Sequence, residues 1–224
     1  MRPWIDLASA VTPDGTTLRL FRRDTEYSIR LPSGNELMNS RLGGSEEALA
    51  TQALSLLPGR PAARILIGGL GMGFTLRATQ AIAGTDASLV VSEIVPEVVA
   101  WATTYMGDVF GDCLSDPRVV VRTTDVAELI RNAAAQYDAI LLDVDNGPDG
   151  LTRPDNQSLY SEAGLAAARQ ALTPGGVLAI WSAAPDDAFT RRLSRCGFEA
   201  EAVGVWAGHR RRGARHTIWL ARRP

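Results

Sequence analysis

The stretch Ile65-Leu66-Ile67-Gly68-Gly69-Leu70-Gly71-Met72-Gly73-Phe74 decides the fold of this chain. An apolar, strand-forming run stops abruptly, four glycines fill six positions, and helix-compatible residues resume. Glycine has no Cβ, so it adopts left-handed backbone angles and lets other groups come close to the main chain. A strand, a bare turn and a helix with unpaired N–H groups make a cradle for a polar ligand.

Working outward, apolar strand-like runs recur at 64–68, 88–93, 118–122, 138–143 and 176–182. Helical segments fall between them, near 74–83, 96–106, 124–135 and 157–172. Such alternation predicts a parallel sheet with helices on both faces. A helix near 186–195 follows, and then Phe198–Trp206 and His216–Ala221 read as a hairpin. The expected fold over residues 44–224 is therefore Rossmann-like α/β. Its mostly parallel seven-stranded sheet would have an antiparallel last strand. Residues 1–43 differ. Thr16–Phe21 and Tyr27–Leu31 alternate in polarity between the turn signals Pro13-Asp14-Gly15 and Pro32-Ser33-Gly34, which predicts a small antiparallel β appendage. Ser45-Glu46-Glu47 then opens a helix, with Ser45 as its cap.

Composition narrows the chemistry. The 224 residues are 46% hydrophobic, enough for one substantial core, and the net charge of −2 draws the chain to neither nucleic acid nor membrane. All 23 basic residues are arginine, which removes Schiff-base and phosphate-loop lysines. His209, His216, Cys113 and Cys196 lack metal-ligand spacing, so no metal is expected. Two separated cysteines and an N-terminus without a signal-peptide core predict a cytoplasmic protein. The arginine-rich segment His209–His216 reads as a solvated hairpin tip.

In a sheet of this kind ligands bind at the C-terminal strand ends. Gly68 ends the first such strand, and Gly69, Gly71 and Gly73 follow in Gly-x-Gly-x-Gly spacing. Phe74 stands where the dinucleotide fingerprint wants a small residue. The spacing instead resembles the first motif of class I S-adenosylmethionine-dependent transferases. Glu93 ends the second strand, twenty residues after Gly73, where an acid can accept both ribose hydroxyl protons. Asp125 follows the third strand and suits either an adenine amino group or a helix N-cap. The fourth strand, Tyr137-Asp138-Ala139-Ile140-Leu141-Leu142-Asp143-Val144-Asp145-Asn146-Gly147-Pro148, leaves two carboxylates and an amide at the same edge. Leu159-Tyr160 and Leu172-Thr173-Pro174-Gly175-Gly176 come later, and Trp181 closes the fifth strand.

In the order and content of these motifs, over residues 35 to 182, the chain resembles the spermidine synthase family, the polyamine aminopropyltransferases and their bacterial relatives. The resemblance implies a small N-terminal β domain and a methyltransferase-like catalytic domain. It implies Asp143 as the carboxylate that takes a proton from the attacking amine; Asn146 stands where the family has the second aspartate of its acidic cluster, and the adjacent Asp145 could substitute for it. Tyr160 would be a wall of the acceptor pocket and the helix at Ser45 a gate; Trp181, from its place at the end of the fifth strand, suits either the core or the pocket wall. It also implies a small-molecule acceptor, preferably an amine, and a homodimer. One departure bears on the donor. The family carries an Asp where this chain has Gly71, and that Asp pairs with the terminal amine of decarboxylated S-adenosylmethionine. Without it, S-adenosylmethionine itself is the expected donor, with Arg41 suggested for its carboxylate. Methyl transfer to a small acceptor is then the leading expectation. Aminopropyl transfer from decarboxylated S-adenosylmethionine is the alternative, and an inactive nucleoside-binding regulator is the third reading.

Overall fold

The computed structural model describes residues 2–57, 59–144, 157–209 and 212–224. Four strands open the chain: β1 (Ile5–Val11), β2 (Thr17–Arg23), β3 (Glu26–Arg30) and β4 (Glu36–Asn39), paired in sequence as an antiparallel sheet. There follow α1 (Gly44–Ser55), β5 (Arg64–Gly68), α2 (Phe74–Ile82), β6 (Ser88–Ser92), α3 (Pro96–Thr104), α4 (Gly107–Phe110), β7 (Val119–Arg122), α5 (Val126–Arg131) and β8 (Tyr137–Leu142). The rest comprises α6 (Gln157–Tyr160), α7 (Glu162–Ala171), β9 (Leu172–Ser182), α8 (Asp187–Arg195), β10 (Glu199–Gly208) and β11 (Arg212–Arg222).

The second sheet has the order β10-β11-β9-β8-β5-β6-β7. Its central strands read as near-continuous apolar runs because helices cover both faces. All six residues of β8 are buried, as are Ile65 to Gly68 of β5. β5 pairs in parallel with β6 and β8, and those in turn with β7 and β9. β11 runs antiparallel to β9 and to β10, so the last strand is the reversed one, as its hairpin pattern predicts. The strand order turns back between β5 and β8, and that switch point opens a crevice at the C-terminal strand ends.

Local differences from the sequence expectations have local causes. The helix expected at 157–172 is two helices, because the Ser161 hydroxyl accepts from the Gly164 N–H and caps a new one. Ser45 does not cap α1. Gly43 holds that position, and Ser45 is buried inside the first turn with its hydroxyl turned to other partners. β1 and β4 were not anticipated: β1 is largely exposed and β4 spans only four residues.

The N-terminal sheet does not stand apart. Leu20, Tyr27 and Ile29 share one buried cluster with Leu49, Val98 and Trp101. The Tyr27 hydroxyl donates to the Tyr105 carbonyl at 2.5 Å. No helix among the described residues is long and apolar enough to cross a membrane.

Candidate active site

A cavity of about 220 Å³ lies between the N-terminal sheet and the C-terminal ends of β5, β6, β7 and β8. The glycine turn forms its floor. Gly69 has φ +90°, and a Cβ there would stand 2.2 Å from the Asp143 carbonyl oxygen, so only glycine lets β5 and β8 meet this closely. At Gly71, with φ +51°, a Cβ would meet only the Met38 sulfur, at 3.7 Å, an ordinary van der Waals contact. Gly69 and Gly71 line the cavity. Gly68 accepts the Asp143 N–H at 2.9 Å, and Gly73 sits at the N-cap of α2.

Glu93 spans the turn from the neighbouring strand. One of its carboxylate oxygens accepts from Leu70 N–H at 3.1 Å and the other from Val95 N–H at 2.9 Å. Burial raises its pKa against the pull of those backbone donors. Asp125 caps α5 by accepting from Ala127 N–H at 2.8 Å and also lines the cavity. Of its two readings the cap is realised, and the carboxylate still faces the ligand space.

Asp143 projects from the end of β8, and its Oδ2 accepts from the Thr75 hydroxyl at 2.8 Å. Burial, then the charge of nearby Glu46, push its pKa up to about 7 against that hydrogen bond. A carboxylate so tuned takes a proton near neutral pH and gives it back readily. Glu46, on the first turn of α1, lines the same cavity. Its own pKa is raised, chiefly by burial, with Ser45 opposing. Sequence reading missed Glu46 and Thr75. An acid in a first helical turn reads as a dipole partner, and only tertiary packing brings α1 and α2 to the end of β8.

The predicted residues part company at the outer wall. Trp181 lines the cavity, its ring edge-on to His216 with centroids 4.7 Å apart, and its indole N–H has no partner among the described residues. Tyr160 is not brought there. It is buried in the opposite core, edge-on to Phe189 at 5.9 Å. Asp145 and Asn146 lie outside the described residues. Arg41 is not a cavity residue: Glu36 grips its guanidinium through both carboxylate oxygens, at 2.7 and 2.9 Å. The charge of the cavity is one-sided. Asp14, Glu46, Glu93, Asp125 and Asp143 line it, and no arginine or histidine does so among the described residues. The described residues hold no metal-binding group of histidines, cysteines and acids.

Comparison with known proteins places this geometry. The model of the spermine/spermidine synthase domain matches residues 46–186. Polyamine aminopropyltransferases of Mycobacterium tuberculosis and Mycobacterium bovis are 33% identical over 151 residues, which is 65% of this chain. The chain spans only 28% of the length of those relatives. Among solved structures, the spermidine synthase of Thermotoga maritima superposes with a TM-score of 0.76 at 20% identity, covering 98% of this chain and 73% of that one. A spermidine synthase bound to the transition-state analogue AdoDATO gives 0.75 at 20% identity, covering 98% and 72%. A probable spermidine synthase of Corynebacterium glutamicum gives 0.69 at 15%, covering 99% and 81%. At these identities the structural likeness establishes the fold, and the family match carries the assignment: this chain belongs to the spermine/spermidine synthase domain family.

Proposed function

We propose that this chain transfers an aminopropyl group from decarboxylated S-adenosylmethionine to the amine of a small acceptor, with Asp143 as the proton acceptor. The observation that carries the reading is the one-sided charge of the cavity, which has five carboxylates and no basic side chain among its described lining residues. Decarboxylated S-adenosylmethionine brings a sulfonium and an ammonium, and the acceptor brings a further ammonium. All are cations that such a cavity stabilises. The carboxylate of S-adenosylmethionine would enter the same cavity with only its own α-ammonium as partner, none of the described lining residues pairing it, and a buried charge that the protein leaves unpaired costs a few kcal/mol, roughly. The name of the curated relatives, polyamine aminopropyltransferase, agrees.

In this reading Gly69 and Gly71 let the backbone close on the donor, Glu93 holds the ribose and Asp125 faces the adenine. Asp143 takes one proton from the acceptor ammonium. The freed nitrogen lone pair forms the new C–N bond as the C–S bond breaks, its electrons passing to sulfur, and a neutral thioether leaves. Trp181 walls the acceptor side. A second reading, methyl transfer from S-adenosylmethionine, is favoured by one observation: Gly71 lines the cavity without a side chain where the family carries an acid. The test is an assay of the purified protein with each donor and a panel of diamines, following methylthioadenosine and S-adenosylhomocysteine. Release of methylthioadenosine that depends on both amine and Asp143 supports the first reading. Amine-dependent S-adenosylhomocysteine would overturn it.

A further inference from the structure

The mechanism above uses one carboxylate of the acceptor side, yet the structure builds two. The first turn of α1 and the end of β8 converge on Thr75, whose hydroxyl lies 2.8 Å from Asp143 Oδ2 and 3.3 Å from the Glu46 carbonyl oxygen. The Glu46 side chain is fixed from behind. Its Oε2 accepts from the Ser45 hydroxyl at 2.6 Å, and the Ser45 hydroxyl oxygen lies 2.9 Å from His216 Nδ1. With the Ser45 proton directed to Glu46, Ser45 can accept from His216 Nδ1 in the tautomer that carries its hydrogen there. Ser45 is fully buried, so this chain of contacts holds Glu46 at the cavity without solvent's help.

We propose that Glu46 is a second ligand of the acceptor ammonium, paired with Asp143, and that the ammonium displaces one proton which the two carboxylates keep in the empty cavity. Two carboxylates facing one space without a cation cannot both stay ionised cheaply, so one keeps a proton until a cationic ligand arrives. Among the described residues, every titratable side chain lining the cavity is acidic, Asp14 included. Glu47 lies beside Glu46 on α1 and adds to the negative field. Glu93 and Asp125 line the far side of the cavity. Burial lowers the pKa of His216, on β11, and so favours its uncharged form. The exchange balances. The empty pair is one carboxylic acid and one carboxylate; binding R–NH₃⁺ releases one H⁺ to solvent and leaves two carboxylates around one ammonium. Asp143 is then ionised and ready to accept the proton that the nucleophile must lose. The inference rests on the acceptor being an amine, as in the proposed function.

The test is calorimetric titration of the whole protein with butane-1,4-diamine in buffers of different ionisation enthalpy, from pH 6 to 8.5. The slope of heat against buffer enthalpy counts protons. Wild-type protein is expected to release about one proton at pH 6 and almost none at pH 8.5. Glu46→Gln keeps an oxygen for Ser45 but no charge, so proton release near neutral pH should fall and affinity at pH 8 should fall roughly tenfold or more. Wild-type protein that binds the decarboxylated donor yet releases no proton with the diamine overturns the inference, as does a Glu46→Gln variant with unchanged affinity and unchanged proton release. Wild-type protein that exchanges a proton for the diamine but transfers nothing to it overturns the proposed function and leaves the carboxylate pair standing.

Discussion

Replacing Asp143 with Asn should abolish transfer and at the same time stabilise the fold. The magnitude follows from the site. Burial and the Glu46 charge hold Asp143 at about 7 in the native protein, against about 3.9 in an unfolded chain. Roughly 3 pH units at about 1.4 kcal/mol each amount to about 4 kcal/mol by which the native state disfavours the ionised group. The sign is set by proton occupancy. Between about pH 4 and pH 7 the native Asp143 keeps a proton that the unfolded chain has lost, so this group makes stability fall as pH rises through that window. Above it the full cost is present. Asp143→Asn cannot ionise and still offers an oxygen to Thr75. Denaturant melts at pH 8 should find the variant more stable by about 2–4 kcal/mol, a gain in Tm of roughly 5–10 °C for a domain of this size. The difference should close near pH 4. Turnover should fall by about 10²–10⁴-fold. A variant less stable than wild type at pH 8, or a difference that does not change with pH, would refute the reasoning.

Two further substitutions separate architecture from chemistry. Gly69→Ala puts a Cβ 2.2 Å from the Asp143 carbonyl at a φ of +90°, so it should cost about 3 kcal/mol or more and lower the denaturation midpoint sharply. Asp138, at the opposite end of β8 from Asp143, accepts from Arg60 at 2.6 Å, Arg64 N–H at 2.8 Å and Thr173 at 2.9 Å. Burial alone would raise its pKa, but those donors outweigh it and the pKa is lowered. Its contribution is therefore present above the ordinary carboxylate range and lost as pH falls through the lowered native value. Asp138→Asn should cost about 2–3 kcal/mol at pH 7 and leave the KM for the acceptor unchanged, checked by melts and initial rates.

What could be read in advance was whatever is encoded locally. The run Ile65–Ile67 and the glycines after it announce a buried strand and a ligand turn, because hydrophobic periodicity and Cβ-free positions are properties of neighbours in sequence. Glu93 and Asp143 were legible for the same reason, as acids one step past apolar strands. Tyr160 and Trp181 show the limit. Both follow apolar residues near the expected edge, yet one packs against Phe189 and the other lines the cavity. That choice is made by the packing of α8 and β11. Which residues of the N-terminal segment shape the pocket was hidden too, since alternation predicts strands but not that Asp14, Thr16, Leu31, Met38 and Asn39 wall the cavity. The donor expectation drawn from Gly71 weighed one missing acid against the family pattern. The assembled cavity weighs all its charges together, and these favour a cationic ligand.

The most direct test of this account is calorimetric titration of the protein with decarboxylated S-adenosylmethionine and, in parallel, with S-adenosylmethionine at pH 8. A cavity whose described lining residues include carboxylates and no cation predicts tighter binding of the decarboxylated form, by roughly tenfold or more, since each 1.4 kcal/mol of repulsion on the extra carboxylate is a factor of ten. Tighter binding of S-adenosylmethionine would contradict the account and return Gly71 to the centre of the problem.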